Sequence, residues 1–254
     1  MCLIAFAWQQ HPAFPLIIAA NRDEFFVRPA RAARWWEHNG RSLFAGQDEQ
    51  AGGTWMGVSG DGRFAALTNH RDPASVRSNA PSRGALVPHF LAATGTTADA
   101  FEELQQNARH FNGFNLLGFD GDTLGMLESR DARRTVLEPG IYALSNASLE
   151  APWPKQQRAR AALAAALGDE PDVDGLFAML RCDRPAGDAE LPVTGVGVQW
   201  ERMLSSAFIR APGYGTRCSS VVLFGADGRI RFEERTWDAL GVASGRVVET
   251  LQVQ

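Results

Sequence analysis

Lysine is almost absent from this chain: Lys155 stands alone, and every other one of the 25 basic residues is arginine. With many alanines and glycines, that bias is expected of a GC-rich bacterial genome and says nothing of function. Cations are not in excess either, since 29 acidic residues leave a net charge of −4. A general nucleic-acid or membrane-surface role is thereby excluded, because such binding draws on a Lys/Arg surplus. No apolar run approaches the roughly 18 residues a membrane helix needs. The start, MCLIAFAW, lacks the basic region of a secretory signal. Only three cysteines are present, Cys2, Cys182 and Cys218. An odd count with no leader fits a reducing cytosol, so a cytoplasmic location is expected. The five histidines (His11, His38, His70, His89, His110) show no metal-ligand spacing. No metal site is expected, and no GxGxxG, P-loop or GxSxG occurs. Asp120-Gly-Asp122 opens like a calcium loop, but Leu124 stands where an oxygen ligand belongs, so the segment reads as a hairpin turn.

What is present is ordinary globular material, 45% apolar and 21% charged over 254 residues. That suffices for a core without metal or disulfide support. Residues 2–8 and 16–21 are apolar runs of strand length separated by a Pro-containing turn. Neither alternates with polar residues, so the pair reads as a hairpin buried on both faces. Residues 53–59 and 63–69 form a second hairpin about Gly60-Asp61-Gly62, and residues 114–119 and 123–128 a third about Asp120-Gly121. Residues 140–146, 206–210, 215–224, 229–237 and 246–254 also read as strands. Helices are predicted over residues 82–93, 97–110, 155–167 and 174–181. Residues 21–34 read as a charged loop and residues 181–198 as a surface excursion. Hairpins separated by helix pairs exclude a βαβ parallel sheet and predict an α+β protein of antiparallel sheets covered by helices. No repeat or internal boundary is evident, so residues 1–254 are expected to form a single domain.

Cys2 is the candidate nucleophile. Removal of Met1 would place a free amine and a thiol on one residue, with ordinary pKa values of ~7.7–8.0 and ~8.5. Such a pair exchanges a proton easily, so the amine can act as the thiol's base. Position alone leaves the alternative of an inert buried cysteine open.

The segment AANRDEFFVRPA, with Asn21, Arg22, Asp23, Glu24, Arg28 and Pro29, resembles the hallmark of the NRDE family, also called the transport-and-Golgi-organisation family. Further matches follow in family order: GGTWMGVS (52–59), AALTNHRDP (65–73), SRGALV (82–87), FNGFNLL (111–117), ALSNASLEAPWPK (143–155) and PGYGTRCSSVVL (212–223). The family looks like a branch of the N-terminal-nucleophile (Ntn) hydrolases, which implies a four-layer αββα sandwich. A more distant similarity to choloylglycine hydrolases and penicillin V acylases, which also begin Met-Cys, implies roles. Asp23 would hold the α-amine, Asn69 would donate to the oxyanion, Asn146 would position substrate and amine, and Arg217 would lie near the thiol. Arg22 is a weaker match to an early arginine of those enzymes. Glu24 and Arg28 acquire no role. Trp35 and Trp36, in the loop after the hallmark, either line a substrate cleft or pack on the sheet.

The resemblance implies an amidohydrolase acting on a non-peptide C–N bond of a small molecule through a Cys2 thioester, without a cofactor. The competing reading is a binding or trafficking protein for haem or a lipid-like ligand on the same scaffold. A redox-sensing thiol protein is a third, weakened by the lack of a CxxC pair. Partners are then a small-molecule substrate or ligand, with no nucleic acid and no membrane insertion.

Overall fold

A computed structural model describes residues 2–168 and 171–253. Met1 and Gln254, on which the nucleophile and last-strand expectations touch, lie outside the described residues. In chain order the strands are β1 (Cys2–Trp8), β2 (Leu16–Phe25), β3 (Ala30–His38), β4 (Arg41–Asp48), β5 (Met56–Ser59), β6 (Phe64–Asn69), β7 (Phe114–Phe119), β8 (Leu124–Glu128), β9 (Arg133–Val136), β10 (Gly140–Leu144), β11 (Arg210–Ala211), β12 (Tyr214–Phe224), β13 (Arg229–Trp237) and β14 (Ala243–Gln252). The helices are α1 (Leu86–Ala92), α2 (Thr97–Asn107), α3 (Pro154–Ala166), α4 (Val173–Leu180) and α5 (Val198–Met203). They fall into two compact units, residues 1–27 with 139–252, and residues 28–138 with 253–254.

The first unit is a seven-stranded antiparallel sheet in the order β10-β1-β2-β12-β13-β14, with β11 beside β12. β1 is buried along its whole length, as its unbroken apolar run predicts. Its odd residues, Leu3, Ala5 and Ala7, pack with Ile17 and Ala19 of β2 against Ala159 and Leu163 of α3 and Leu176, Phe177 and Leu180 of α4. Helices therefore cover one face of this sheet, and the even residues Cys2, Ile4 and Phe6 belong to the other.

The second unit is a meander, β3-β4-β5-β6-β7-β8-β9. One face carries α1 and α2 through Leu86, Phe90, Leu91, Phe101 and Leu104, packed on Leu43, Ala65 and Leu116. The turn before β8 is held by Asp120, whose carboxylate accepts from the backbone N–H groups of Asp122, Thr123 and Thr97. Two of the quoted sequence blocks meet here. Thr54 N donates to Gly84 O at 3.0 Å, and a Cβ at Gly53 would come within 2.2 Å of that same oxygen. Glycine is required at position 53 because backbone approaches backbone there. Each unit supplies one sheet and one helical layer, the components of the α+β class expected from the sequence.

Three expectations are corrected. Residues 21–34 are not a loop: β2 continues to Phe25 and β3 begins at Ala30. Trp35 and Trp36 are thus strand residues. β4, β9 and α5 fall on segments for which no element is predicted, α5 beginning where the excursion of residues 181–198 ends. Residues 206–210 form no strand beyond the two-residue β11. There the Ser205 and Ser206 hydroxyls turn back to the Arg202 and Met203 carbonyls at the end of α5, satisfying the helix instead of a ladder.

Two buried polar clusters stabilise the first sheet. Asn21 donates from Nδ2 to Leu180 O (2.9 Å) and Ala207 O (2.8 Å) and accepts at Oδ1 from Ser219 (2.6 Å). It ties β2 to the end of α4 and to the chain before β11. Asn21→Ala strands those carbonyls and is expected to cost about 1–3 kcal/mol, read as a lower urea midpoint at unchanged slope. Glu233, whose carboxylate is fully buried, accepts from Arg231, Arg235 and Arg246. These bonds offset its burial and hold its pKa down from 4.5 to about 2. Because the folded value lies below the unfolded one, the stabilisation is complete above the unfolded value and is lost as pH falls toward the folded one. A stability–pH profile should show that loss, and Glu233→Gln should flatten it.

Candidate functional site

β2 carries the hallmark NRDE residues, and strand alternation divides them between two faces. Asn21 and Asp23 continue the helix-side series of Ile17 and Ala19, while Arg22 and Glu24 point to the face of Cys2. Register assigns each a neighbour. Asp23 lies opposite Thr216 on β12, and the Thr216 hydroxyl donates to its Oδ1 at 2.7 Å. Thr216 in turn accepts from the Ile209 N–H. Arg22 reaches Glu24 at 3.8 Å along the same strand. The remaining hallmark cation, Arg28, belongs to the second unit and pairs with Asp48 at 2.6 Å.

Arg22 is the centre of a row of residues running across the first sheet. It lies opposite Cys2 on β1 and opposite Cys218 on β12. The β1–β10 register pairs Ile4 with Leu144, after which the chain leaves the strand at Ser145. Ser145 fixes that end, its hydroxyl donating to Cys2 O at 3.0 Å and to Asn146 Oδ1 at 3.2 Å. Asn146 is wholly buried, whereas Cys2 keeps 7% of its surface. The sequence-predicted Cys2, Arg22 and Asn146 are thus brought together as neighbours, with Asp23 adjacent.

Burial pushes the Cys2 thiol above its usual pKa, and the Asp23 carboxylate pushes it further; Arg22 and a hydrogen bond from the Asp23 N–H to the sulfur oppose this. Asp23 is also raised, burial again the main cause, against the attraction of Lys155, the Thr216 hydroxyl and Arg22. Cys218 is raised well above the ordinary thiol value by burial and by Glu234. A thiol and a carboxyl group, both pushed upward by burial, therefore share one buried corner with two cations. Such an arrangement suits an acid–base pair with a nucleophile.

Arg217 sits at the bulge between Thr216 and Cys218. It donates to Phe25 O at 3.0 Å and lies over the Phe26 ring at 5.2 Å. Its charge neighbours are Arg22, Cys218 and Glu24. The guanidinium that bears on the Cys2 sulfur is that of Arg22. Asn69, Trp35 and Trp36 belong to the second unit. Asn69 ends β6 opposite Phe114, half-buried. Trp36 packs on that unit's core and donates to Ala45 O, while Trp35 meets Phe44 edge-on and remains 42% exposed. Sequence reasoning did not assign Thr216, Ser145 or Lys155. The available signal was their place inside the YGTR, LSN and PWPK blocks, together with the singularity of the lysine.

Among the described residues no helix is long and apolar enough to cross a membrane. The fold has counterparts among solved structures. A variant of conjugated bile acid hydrolase from Clostridium perfringens superposes with a TM-score of 0.52 at 11% identity, covering 98% of this chain and 92% of that one. That likeness shows the fold, the α+β fold of the Ntn hydrolases. By sequence, the chain is 38% identical to Transport and Golgi organization protein 2 homolog of Bos taurus and 36% identical to that of Homo sapiens, with 93% of each chain covered. The family model described as Transport and Golgi organisation 2 matches residues 1–239. The chain belongs to the Transport and Golgi organisation 2 family.

Proposed function

We propose that this protein is an N-terminal-cysteine amidohydrolase acting on a non-peptide C–N bond of a small molecule. The observation that carries the reading is the pairing of Cys2 with Arg22 across β1 and β2, with the Ser145 hydroxyl joining the Cys2 carbonyl to the Asn146 side chain. The fold it shares with a conjugated bile acid hydrolase supports it.

Once Met1 is removed, the Cys2 amine takes the thiol proton and the thiolate attacks the substrate carbonyl carbon. The C–N bond breaks, the leaving amine receives that proton, and a thioester to Cys2 remains. Water then cleaves the C–S bond, releasing the acid and returning the proton to the site. Arg22 favours the thiolate by its charge. Asp23 orients the ammonium, and Asn146 positions amine and substrate beside the sulfur. A side-chain donor that meets the developing oxyanion contributes on the order of 3–4 kcal/mol in sites of this kind. The substrate is a small amide. A cytoplasmic location belongs to the proposal and is supported by three unpaired cysteines.

The test is competition between thiols within one molecule. Cys182 is exposed and Cys2 is buried, so surface access alone favours Cys182. In protein shown by mass to lack Met1, limiting iodoacetamide near neutral pH should label Cys2 first, and Cys2→Ala should abolish that label together with any turnover. Labelling led by Cys182, or equal at both, contradicts the proposal.

A further inference from the structure

The proposed chemistry leaves one buried cation unused. Lys155 is the sole lysine of the chain and only 3% exposed, although lysine is among the residue types least often buried without a charged partner. It occupies the first turn of α3, one turn before Ala159 and two before Leu163. Spacing of four keeps the three on one stripe, and Ala159 and Leu163 pack on the helix side of the first sheet against Leu3 and Ala5. The start of α3 is pinned at the end of β10, where Gln156 donates to Ala143 O (3.1 Å) and Ser148 O (3.3 Å). That end of β10 adjoins Cys2, and beyond Cys2 lies the end of β2, where Asp23 is the residue turned toward the helix side. Lys155 thus approaches the Asp23 carboxylate from the helical layer while Thr216 holds it from β12.

Resting on the reading of Cys2 as nucleophile, we propose that Lys155 is a positioning residue of this site, whose ammonium offsets the burial of the Asp23 carboxyl group and shares its charge. The physical reason is a conflict within the proposed machinery. A buried carboxylate that orients the Cys2 ammonium also strengthens the amine's hold on its proton, which weakens it as a base. A second cation on the same carboxylate divides that attraction, so the carboxylate still orients the amine while the amine stays free to accept the thiol proton near neutral pH. The attraction between Lys155 and Asp23 is the largest influence opposing burial at that carboxylate. The other charged groups at this corner are Arg22 and its partner Glu24 on β2, Arg217 at the β12 bulge and, beyond Cys218, Glu234 on β13.

The test measures the pH dependence of Cys2 alkylation by iodoacetamide in full-length protein lacking Met1, with Cys182 as internal control. Lys155→Met should move the Cys2 midpoint upward and slow labelling near neutral pH by roughly tenfold, the equivalent of one pKa unit. Lys155→Arg should restore it, and Cys182 should not change. A wild-type Cys2 that fails to outpace Cys182 refutes the nucleophile reading. A wild-type Cys2 that does so, with Lys155→Met labelling at the same midpoint, refutes the role of Lys155. Should Lys155→Met not fold, wild-type protein labelled with 15N-lysine provides the readout, because it has a single Nζ signal. That signal should shift as the Cys2 site titrates, and a signal indifferent to the titration overturns the inference.

Discussion

Antiparallel register between β1, β2 and β12 is the constraint on which the site depends. It sets Cys2 and Cys218 on either side of Arg22, and one residue further along it sets Asp23 against Thr216. A slip of one residue would turn every side chain to the opposite face and separate the sulfur from its cation. The register is secured by the features that make these strands readable. β1 and the first half of β2 are buried on both faces, so a slip would mismatch side-chain volumes packed on each. Asn21 adds a second anchor, since its amide spans to Leu180 and Ala207 from a fixed point on β2.

The same burial gives the corner its chemistry. In a low-dielectric setting each charge needs a partner, and an ionised carboxylate without one is costly. Asp23 is surrounded accordingly, by a hydroxyl from β12, by the charges of Arg22 and Lys155, and by its own backbone N–H directed at the Cys2 sulfur. The groups are drawn from one strand, a facing strand and the first turn of a helix, so no mobile loop is needed to hold them. The hallmark tetrad is thereby explained as two pairs. Asn21 and Asp23 serve the helix side as anchor and buried carboxyl group, and Arg22 and Glu24 form an ion pair on the face of Cys2.

Much of this architecture was legible in the sequence, and the reasons differ by element. Apolar runs and Asp-Gly turns revealed β1, β2 and the hairpins β5–β6, β7–β8 and β12–β13, since these are buried and tightly connected. β3 was hidden because it is an edge strand rich in arginine and tryptophan, burying little but Ala33. β9 is short and exposed, so burial leaves no pattern there. The order of motif blocks pointed to Cys2, Arg22 and Asp23, which lie side by side on the first sheet, and also to Asn69, which belongs to the second unit. The pairings within the site were not legible: Arg22 acting on the sulfur, Thr216 on Asp23 and Lys155 beneath it follow from register and helix placement, which no local spacing encodes.

The central claim, that the second residue becomes an N-terminal nucleophile, is most directly tested by intact mass and N-terminal sequencing of the protein from its own cells. The account predicts a chain short by one methionine and beginning at Cys2. A population that keeps Met1 throughout leaves the Cys2 amine bound in a peptide and contradicts it.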